Sequence, residues 1–315
     1  MIKYYTRHDG KLTELERPQP GCWINISPPF SHAELEEVAN EFEVELDFLT
    51  DSLDIDERSR YEREEDVRLI VINTPILNEG LEESDAIYIT VPIGLILTGD
   101  YLITISSYES PVLHLFLNER VRGFDPTNYE LFILQIFEQT VYRFLRYLKK
   151  LNAKRGLIER ELYDSSRNKE LRDLLSIEKS LVYFVNSLSS NELLKMKMKR
   201  ADFLKIRDDE DLTDLFEDII VDNSQALEMA NIYTSILSGT MSAFGSIISN
   251  NLNLTIRRLT LITIVLMVPT LVASFFGMNI PLPMQENNRA LFYIIVLSIL
   301  ISMLVIWYFR RKRLF

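Results

Sequence analysis

The sequence predicts an α+β membrane protein, with an N-terminal α/β domain, a long helical stalk and two C-terminal transmembrane helices. Three observations carry that prediction. Two charge-free apolar runs lie near the C-terminal end, short β-rich runs fill the first part, and no proline occurs between Pro126 and Pro269.

The α/β domain is expected over residues 1–125. Cys22–Ile26, Val67–Thr74, Ala86–Val91, Gly94–Leu97 and Tyr101–Ser106 are rich in Ile, Val, Thr and Tyr, and Gly, Pro or Asp bounds most of them. Such runs read as strands. Between the first two, Ser31–Phe42 reads as a helix. Ser31 stands three residues before Glu34, the spacing of a capping box, and apolar residues follow at helical intervals. Met1–Gly10 contains Lys, Arg and Asp and no apolar core, so it does not read as a signal peptide.

The stalk is expected over residues 126–258. Leu131, Leu134, Phe137, Val141, Phe144, Leu148 and Leu151 recur at steps of three and four, which is one face of a helix. Breaks are expected near Asp164–Asn168 and Arg207–Glu210. The last helix then starts near Leu212 and meets no stop signal before the first apolar run. A helix of roughly sixty residues spans about 90 Å, too long to pack inside a globular domain and stable as part of a bundle.

The transmembrane helices are expected at 259–276 and 290–309, joined by an outer loop over 277–289 and followed by a basic tail over 310–315. Leu259–Gln285 has no charged side chain, and Ala290–Phe309 supplies 20 apolar or neutral residues. That is about 30 Å as a helix, the thickness of a bilayer core. Arg257 and Arg258 precede the first span, and Arg310, Arg311, Lys312 and Arg313 follow the second. The positive-inside bias therefore places both termini in the cytoplasm.

Charge and side-chain chemistry narrow the function. The chain has 34 Lys+Arg and 46 Asp+Glu. From Asn253 onward there are 7 basic residues and 1 acidic residue, so residues 1–252 keep 27 basic and 45 acidic residues, a net of −18. Nucleic-acid capture needs clustered Lys and Arg and is excluded; cations are the natural partners of this surface. The single cysteine, Cys22, excludes an intramolecular disulfide framework and any zinc site of several thiolates. His8, His32 and His114 are isolated, and no nucleophile–base pair or phosphate-cradling glycine loop is present, so no enzyme is expected.

Within the first span, Thr263, Met267, Thr270, Ser274 and Gly277 share one face among Leu, Ile, Val and Phe. Toward the cytoplasm the stripe continues through Leu259, Ile256 and Asn253. Small and polar residues on one face serve either close helix packing or the lining of a water-filled pore. Two spans cannot enclose a conduit, so a pore requires a symmetric oligomer.

At the outer end of the span stands Phe276-Gly277-Met278-Asn279. Here the chain resembles the CorA family of magnesium channels, whose signature is a Gly-Met-Asn triplet after the first of two C-terminal spans. Ser249-Asn250, Asn253, Leu259, Met267-Val268-Pro269-Thr270 and Trp23-Ile24-Asn25 match at the family's spacing. The resemblance covers essentially the whole chain. It implies a homopentamer in the cell (inner) membrane that carries Mg²⁺, and also Co²⁺, through a pore lined by the first span. It implies that Gly277, Met278 and Asn279 form the selectivity filter. It further implies that Asp51 and Asp218 meet across subunits and bind a regulatory Mg²⁺. By composition alone, the acidic clusters around Asp51 and Asp208–Asp218 read as solvated faces.

The chain departs from the family at Ile280-Pro281-Leu282-Pro283-Met284-Gln285-Glu286, where many relatives have Met-Pro-Glu-Leu. The triplet's chemistry stands without the family: amide carbonyls accept hydrogen bonds from the water shell that Mg²⁺ sheds reluctantly. Asn279 reads also as a helix cap after Gly277. A zinc or other divalent-metal transporter on the same fold is the nearest alternative, and a membrane-anchored oligomeric scaffold is the alternative of another class.

Overall fold

The computed structural model describes residues 1–8, 10–80, 85–164, 168–278 and 289–312. The chain divides into two compact units, Met1–Met241 and Ser242–Phe315.

The first unit holds strands β1 (Ile2–His8), β2 (Lys11–Leu15), β3 (Trp23–Ile26), β4 (Arg60–Glu64), β5 (Val67–Leu77), β6 (Tyr88–Thr98) and β7 (Tyr101–Ile105). It also holds helices α1 (His32–Glu41), α2 (Leu46–Asp51), α3 (Leu113–Leu117), α4 (Tyr129–Asp164) and α5 (Asn168–Ala201), and the start of α6 (Glu210–Phe276). The strands form one sheet in the order β2-β1-β3-β7-β6-β5-β4. Each neighbouring pair is antiparallel except β3 and β7.

The period-two alternation of the strands sorts the core into two layers. Ile24, Leu69, Val71 and Ile96 pack under Leu35 and Val38 of α1 and Phe48 and Leu49 of α2. Their neighbours Trp23, Ile70, Ile72 and Leu95 face the other way, against Phe132 and Phe137 of α4, Leu194 and Met198 of α5, and Phe216 and Ile219 of α6. The long helices α4 and α5 thus belong to the core of the first unit. Along α4, Leu134, Phe137, Val141, Phe144, Leu148 and Leu151 are buried, as the three-and-four stripe requires.

Where local structure follows the sequence, the cause is visible. Ser31 and Glu34 close the capping box of α1, with the Glu34 amide donating to Ser31 Oγ at 3.3 Å and the Ser31 amide donating to Glu34 Oε2 at 2.6 Å. Helix α6 begins two residues before Leu212 because the Leu212 amide donates to Asp209 Oδ1 at 3.0 Å, which caps the first turn.

The structure corrects one strand assignment. The two runs Ala86–Val91 and Gly94–Leu97, read as separate strands, form the single strand β6. Pro92 does not interrupt it, because Pro92 stands opposite Asn73 at a position where the pair exchanges no backbone hydrogen bond. Asn73 instead offers its amide to Asn191 Oδ1 (3.1 Å) and its carbonyl to Asn191 Nδ2 (2.8 Å), while the Pro92 carbonyl accepts from Ser106 Oγ at 3.0 Å. The missing N–H of proline therefore costs no ladder bond. Strands β1, β2 and β4, unmarked in the sequence reading, carry many exposed polar residues. They lie at or near the sheet edges, where one face stays wet.

The second unit holds the rest of α6 and α7 (Ala290–Arg311). These are two helices long and apolar enough to cross a membrane. Helix α6 continues through Pro269 without a break.

Candidate functional site

Seven positions of the expected pore face, Asn253, Ile256, Leu259, Thr263, Met267, Thr270 and Ser274, lie on the continuous helix α6. At about 100° per residue they fall within an arc of about 120°. All seven are exposed in the single chain. The least exposed residues of the span are Leu261, Val265, Val268 and Val272, and their arc lies on the opposite side of the helix. On α7 the least exposed side chains are Ile294, Ser298, Ser302, Val305 and Phe309, again spaced by three and four. Each span therefore has a covered stripe, and α6 turns its candidate face away from its own.

The two threonine hydroxyls on that face bond within the helix. Thr263 Oγ1 donates to the Leu259 carbonyl at 2.9 Å and Thr270 Oγ1 to the Leu266 carbonyl at 3.2 Å. Such back-bonding settles the hydroxyl proton in an apolar medium and leaves oxygen lone pairs free to accept from water. The Gly277 amide donates to the Ala273 carbonyl at 3.0 Å, continuing the helical pattern at the end of α6. A Cβ at Gly277 would stand 3.4 Å from that same carbonyl, in van der Waals contact. Met278 is exposed. Asn279 lies outside the described residues, as do Ile280–Asn288 with Glu286 among them.

Asp51 is the last residue of α2, whose Phe48 and Leu49 are buried against the sheet. The helix sits close to β6 because position 94 is glycine: a Cβ there would lie 2.2 Å from Ser52 Oγ. Ser52 in turn donates to the Phe48 carbonyl at 2.7 Å. A partner that the sequence reading missed is Arg60, on β4. Its Nη2 donates to Asp51 Oδ2 at 2.8 Å, its Nη1 to Glu57 Oε1 at 2.8 Å, and Glu62 lies 3.4 Å away. Burial opposes the Arg60 charge, but the bond to Asp51 and the nearby carboxylates outweigh it and raise its pKa. Arg60 stands only nine residues after Asp51, but neither a helical nor a strand period pairs the two, because they belong to different elements.

Asp218 lies exposed on α6 between the buried Phe216 and Ile219. Neither a hydrogen bond nor an ion pair joins it to Asp51, and among the described residues no group of three or more His, Cys, Asp or Glu could hold a metal ion. Other acids of the two clusters have local work: Asp54 Oδ1 accepts from the Asp56 amide, Asp209 caps α6, and Glu217 pairs with Lys199. Cys22 is a buried free thiol whose pKa is pushed up by that burial. Trp23 and Asn25 of the Trp-Ile-Asn segment form a buried chain, with Trp23 Nε1 donating to Thr104 Oγ1 and Thr104 Oγ1 donating to Asn25 Oδ1, each at 2.8 Å.

Comparison with known proteins agrees with this architecture. The Cobalt/magnesium transport protein CorA of Methanocaldococcus jannaschii is 26% identical over 295 residues, covering 92% of this chain and 90% of that one. The protein of the same name from Thermotoga maritima is 21% identical over 318 residues, covering 96% of this chain and 88% of its own. The complete structure of the CorA magnesium transporter from M. jannaschii shares the fold, with a TM-score of 0.81 at 23% identity over 99% of this chain and 98% of that one. Residues 19–311 match the model of the family described as "CorA-like Mg2+ transporter protein", and the chain belongs to that family.

Proposed function

We propose that this protein is a channel through which Mg²⁺, and also Co²⁺, enters the cell across the inner membrane. Its membership of a Mg²⁺ transporter family and its two membrane-length helices support the reading. The observation that carries the pore model is the uncovered face of α6, which bears Asn253 through Ser274 opposite the covered stripe. One copy supplies one wall, so the conduit is built by five copies around a common axis. Gly277, Met278 and Asn279 then form the outer filter, where five amide carbonyls accept from the hydration shell of the ion without stripping it. Below it, Met267 and Leu259 narrow the path and gate it by dewetting. Both termini are cytoplasmic, and the inward current of cations runs down the membrane potential.

Cytoplasmic Mg²⁺ closes the channel by binding between Asp51 of one subunit and Asp218 of the next. The ion competes with Arg60 for the Asp51 carboxylate, so occupancy requires the local Mg²⁺ concentration to overcome an internal cation.

The test is divalent-ion uptake into liposomes reconstituted with the pure protein. Mg²⁺ uptake that cobalt hexammine blocks is the expected result. Uptake of Zn²⁺ without Mg²⁺ would reassign the ion, and absence of any uptake would leave a scaffold.

A further inference from the structure

Lys195 is a fully buried lysine, set where three helices meet. From α5, its Nζ donates to Asn223 Oδ1 of α6 at 2.7 Å, and the Phe137 ring of α4 has its centre 5.6 Å away. Asn223 is itself fully buried and returns Nδ2 to the Leu188 carbonyl of α5 at 3.0 Å. One nitrogen thus links α5 to α6 through a single amide.

Among the described residues no carboxylate pairs with Lys195, and the charge that acts on it is Glu192, half-buried three residues earlier on α5 itself. The groups that meet Lys195 from the facing helices, Phe137 and Asn223, are neutral. Of the nearby acids, Glu217 of α6 pairs with Lys199 and Glu138 of α4 bonds Gln139 and Tyr142, while the charges of Asp218 and Asp222 act on Tyr142 and not on Lys195. On the sheet side, Asn73 is satisfied by Asn191, one turn before Lys195.

An ammonium carries three donors, and here it finds one oxygen and one ring. A neutral amine suits the site far better, since burying an unpaired charge is costly. We propose that Lys195 is a proton-operated latch: the neutral amine holds α6 closed against α4 and α5, and proton uptake favours a state in which this stretch of α6 separates and water reaches the nitrogen.

Burial lowers the Lys195 pKa from 10.5 to about 7, against the opposing pull of Glu192. The opened form has the higher pKa and binds the proton more tightly. Opening is therefore promoted as pH falls from 10.5 toward 7 and levels off below 7. Because α6 continues into the candidate pore face, the latch would make transport sensitive to cytoplasmic pH; that consequence alone rests on the channel reading.

The experiment is amide hydrogen exchange of the full-length protein in detergent between pH 8 and pH 6, corrected for intrinsic exchange rates. In the wild type, protection across Ile219–Ala226 should fall about tenfold over that range. Lys195→Met, neutral throughout, should stay protected with no slope, and Lys195→Arg, charged throughout, should be weakly protected with no slope. Flat wild-type protection, or a slope that survives in Lys195→Met, overturns the latch. Uptake measured on the same preparations separates the two readings. A channel that carries no Mg²⁺ at any pH sinks the transport reading, while the exchange result still decides the latch.

Discussion

The two units answer the same demand, burial of apolar side chains, in opposite ways. In the first unit, Trp23, Ile70, Leu95, Phe132 and Phe137 are fully buried within one chain. In the second, Leu259, Leu266, Met267, Leu271, Leu300 and Leu304 all remain at least 58% exposed. The first unit finds its apolar environment in itself, so its hydrophobic pattern specifies a sheet and its covering helices. The second carries the longer apolar runs yet covers only one stripe per helix. Its remaining surface calls for an apolar surrounding outside the chain, as a lipid bilayer provides. The lesson is that exposure along α6 and α7 reports a solvent, whereas exposure on the first unit reports a wet face.

Breaking the second unit's function while sparing the first should give the largest effect. Asn279→Ala should lower Mg²⁺ uptake into liposomes about tenfold or more. The variant should still elute as an oligomer, and its first unit should melt as the wild type does. A variant that assembles and transports normally would make Asn279 a helix cap and move the filter to Thr270 or Asn253.

The converse break is in the first unit. Trp23→Ala removes a fully buried ring packed on Tyr5, Phe124 and Phe132, and it deprives Thr104 Oγ1 of its donor. It should destabilise the unit by about 3–5 kcal/mol, read from denaturant unfolding of the full-length protein. A change below 1 kcal/mol would mean that the core relaxes around the loss, and the contrast between the units would weaken.

A subtler test concerns the close approach that seats α2. Gly94→Ala should cost about 1–3 kcal/mol, because the new methyl meets Ser52 and Ile105. Adding Ser52→Gly should recover part of that loss, a non-additivity expected only for residues in contact. Strictly additive effects would show that the strain is relieved elsewhere.

The smallest effect sharpens the comparison where the first unit is proposed to sense the ion. Millimolar Mg²⁺ should slow proteolysis of the wild-type protein, and Asp51→Ala with Asp218→Ala should weaken that protection severalfold. Unchanged protection in the double variant would return both acids to solvated faces. Arg60→Gln offers a matching gain: with the internal cation gone, protection should appear at lower Mg²⁺.

Much of the fold was legible in the sequence because it rests on local signals. The capping box at Ser31 and Glu34, the three-and-four stripe from Leu134 to Leu151 and the β-rich runs of β5 and β7 all act within a few residues. The edge strands β1, β2 and β4 were not legible, since a strand with a wet face carries a weak apolar signal. The break at Pro92 was misread because only the register with Asn73 shows that no ladder bond is lost there.

For the candidate site, the sequence by itself determined the members of the α6 face and the position of the triplet, since helical periodicity places residues on a face with no help from tertiary contacts. Its charge pattern likewise supplied the expected orientation of the spans. Only the tertiary structure decided which side of α6 is covered, that Arg60 reaches Asp51, and that Lys195 lies buried against Asn223 and Phe137. Those pairs join residues from separate elements. Their meeting depends on how the sheet and helices pack, which no short window of sequence encodes.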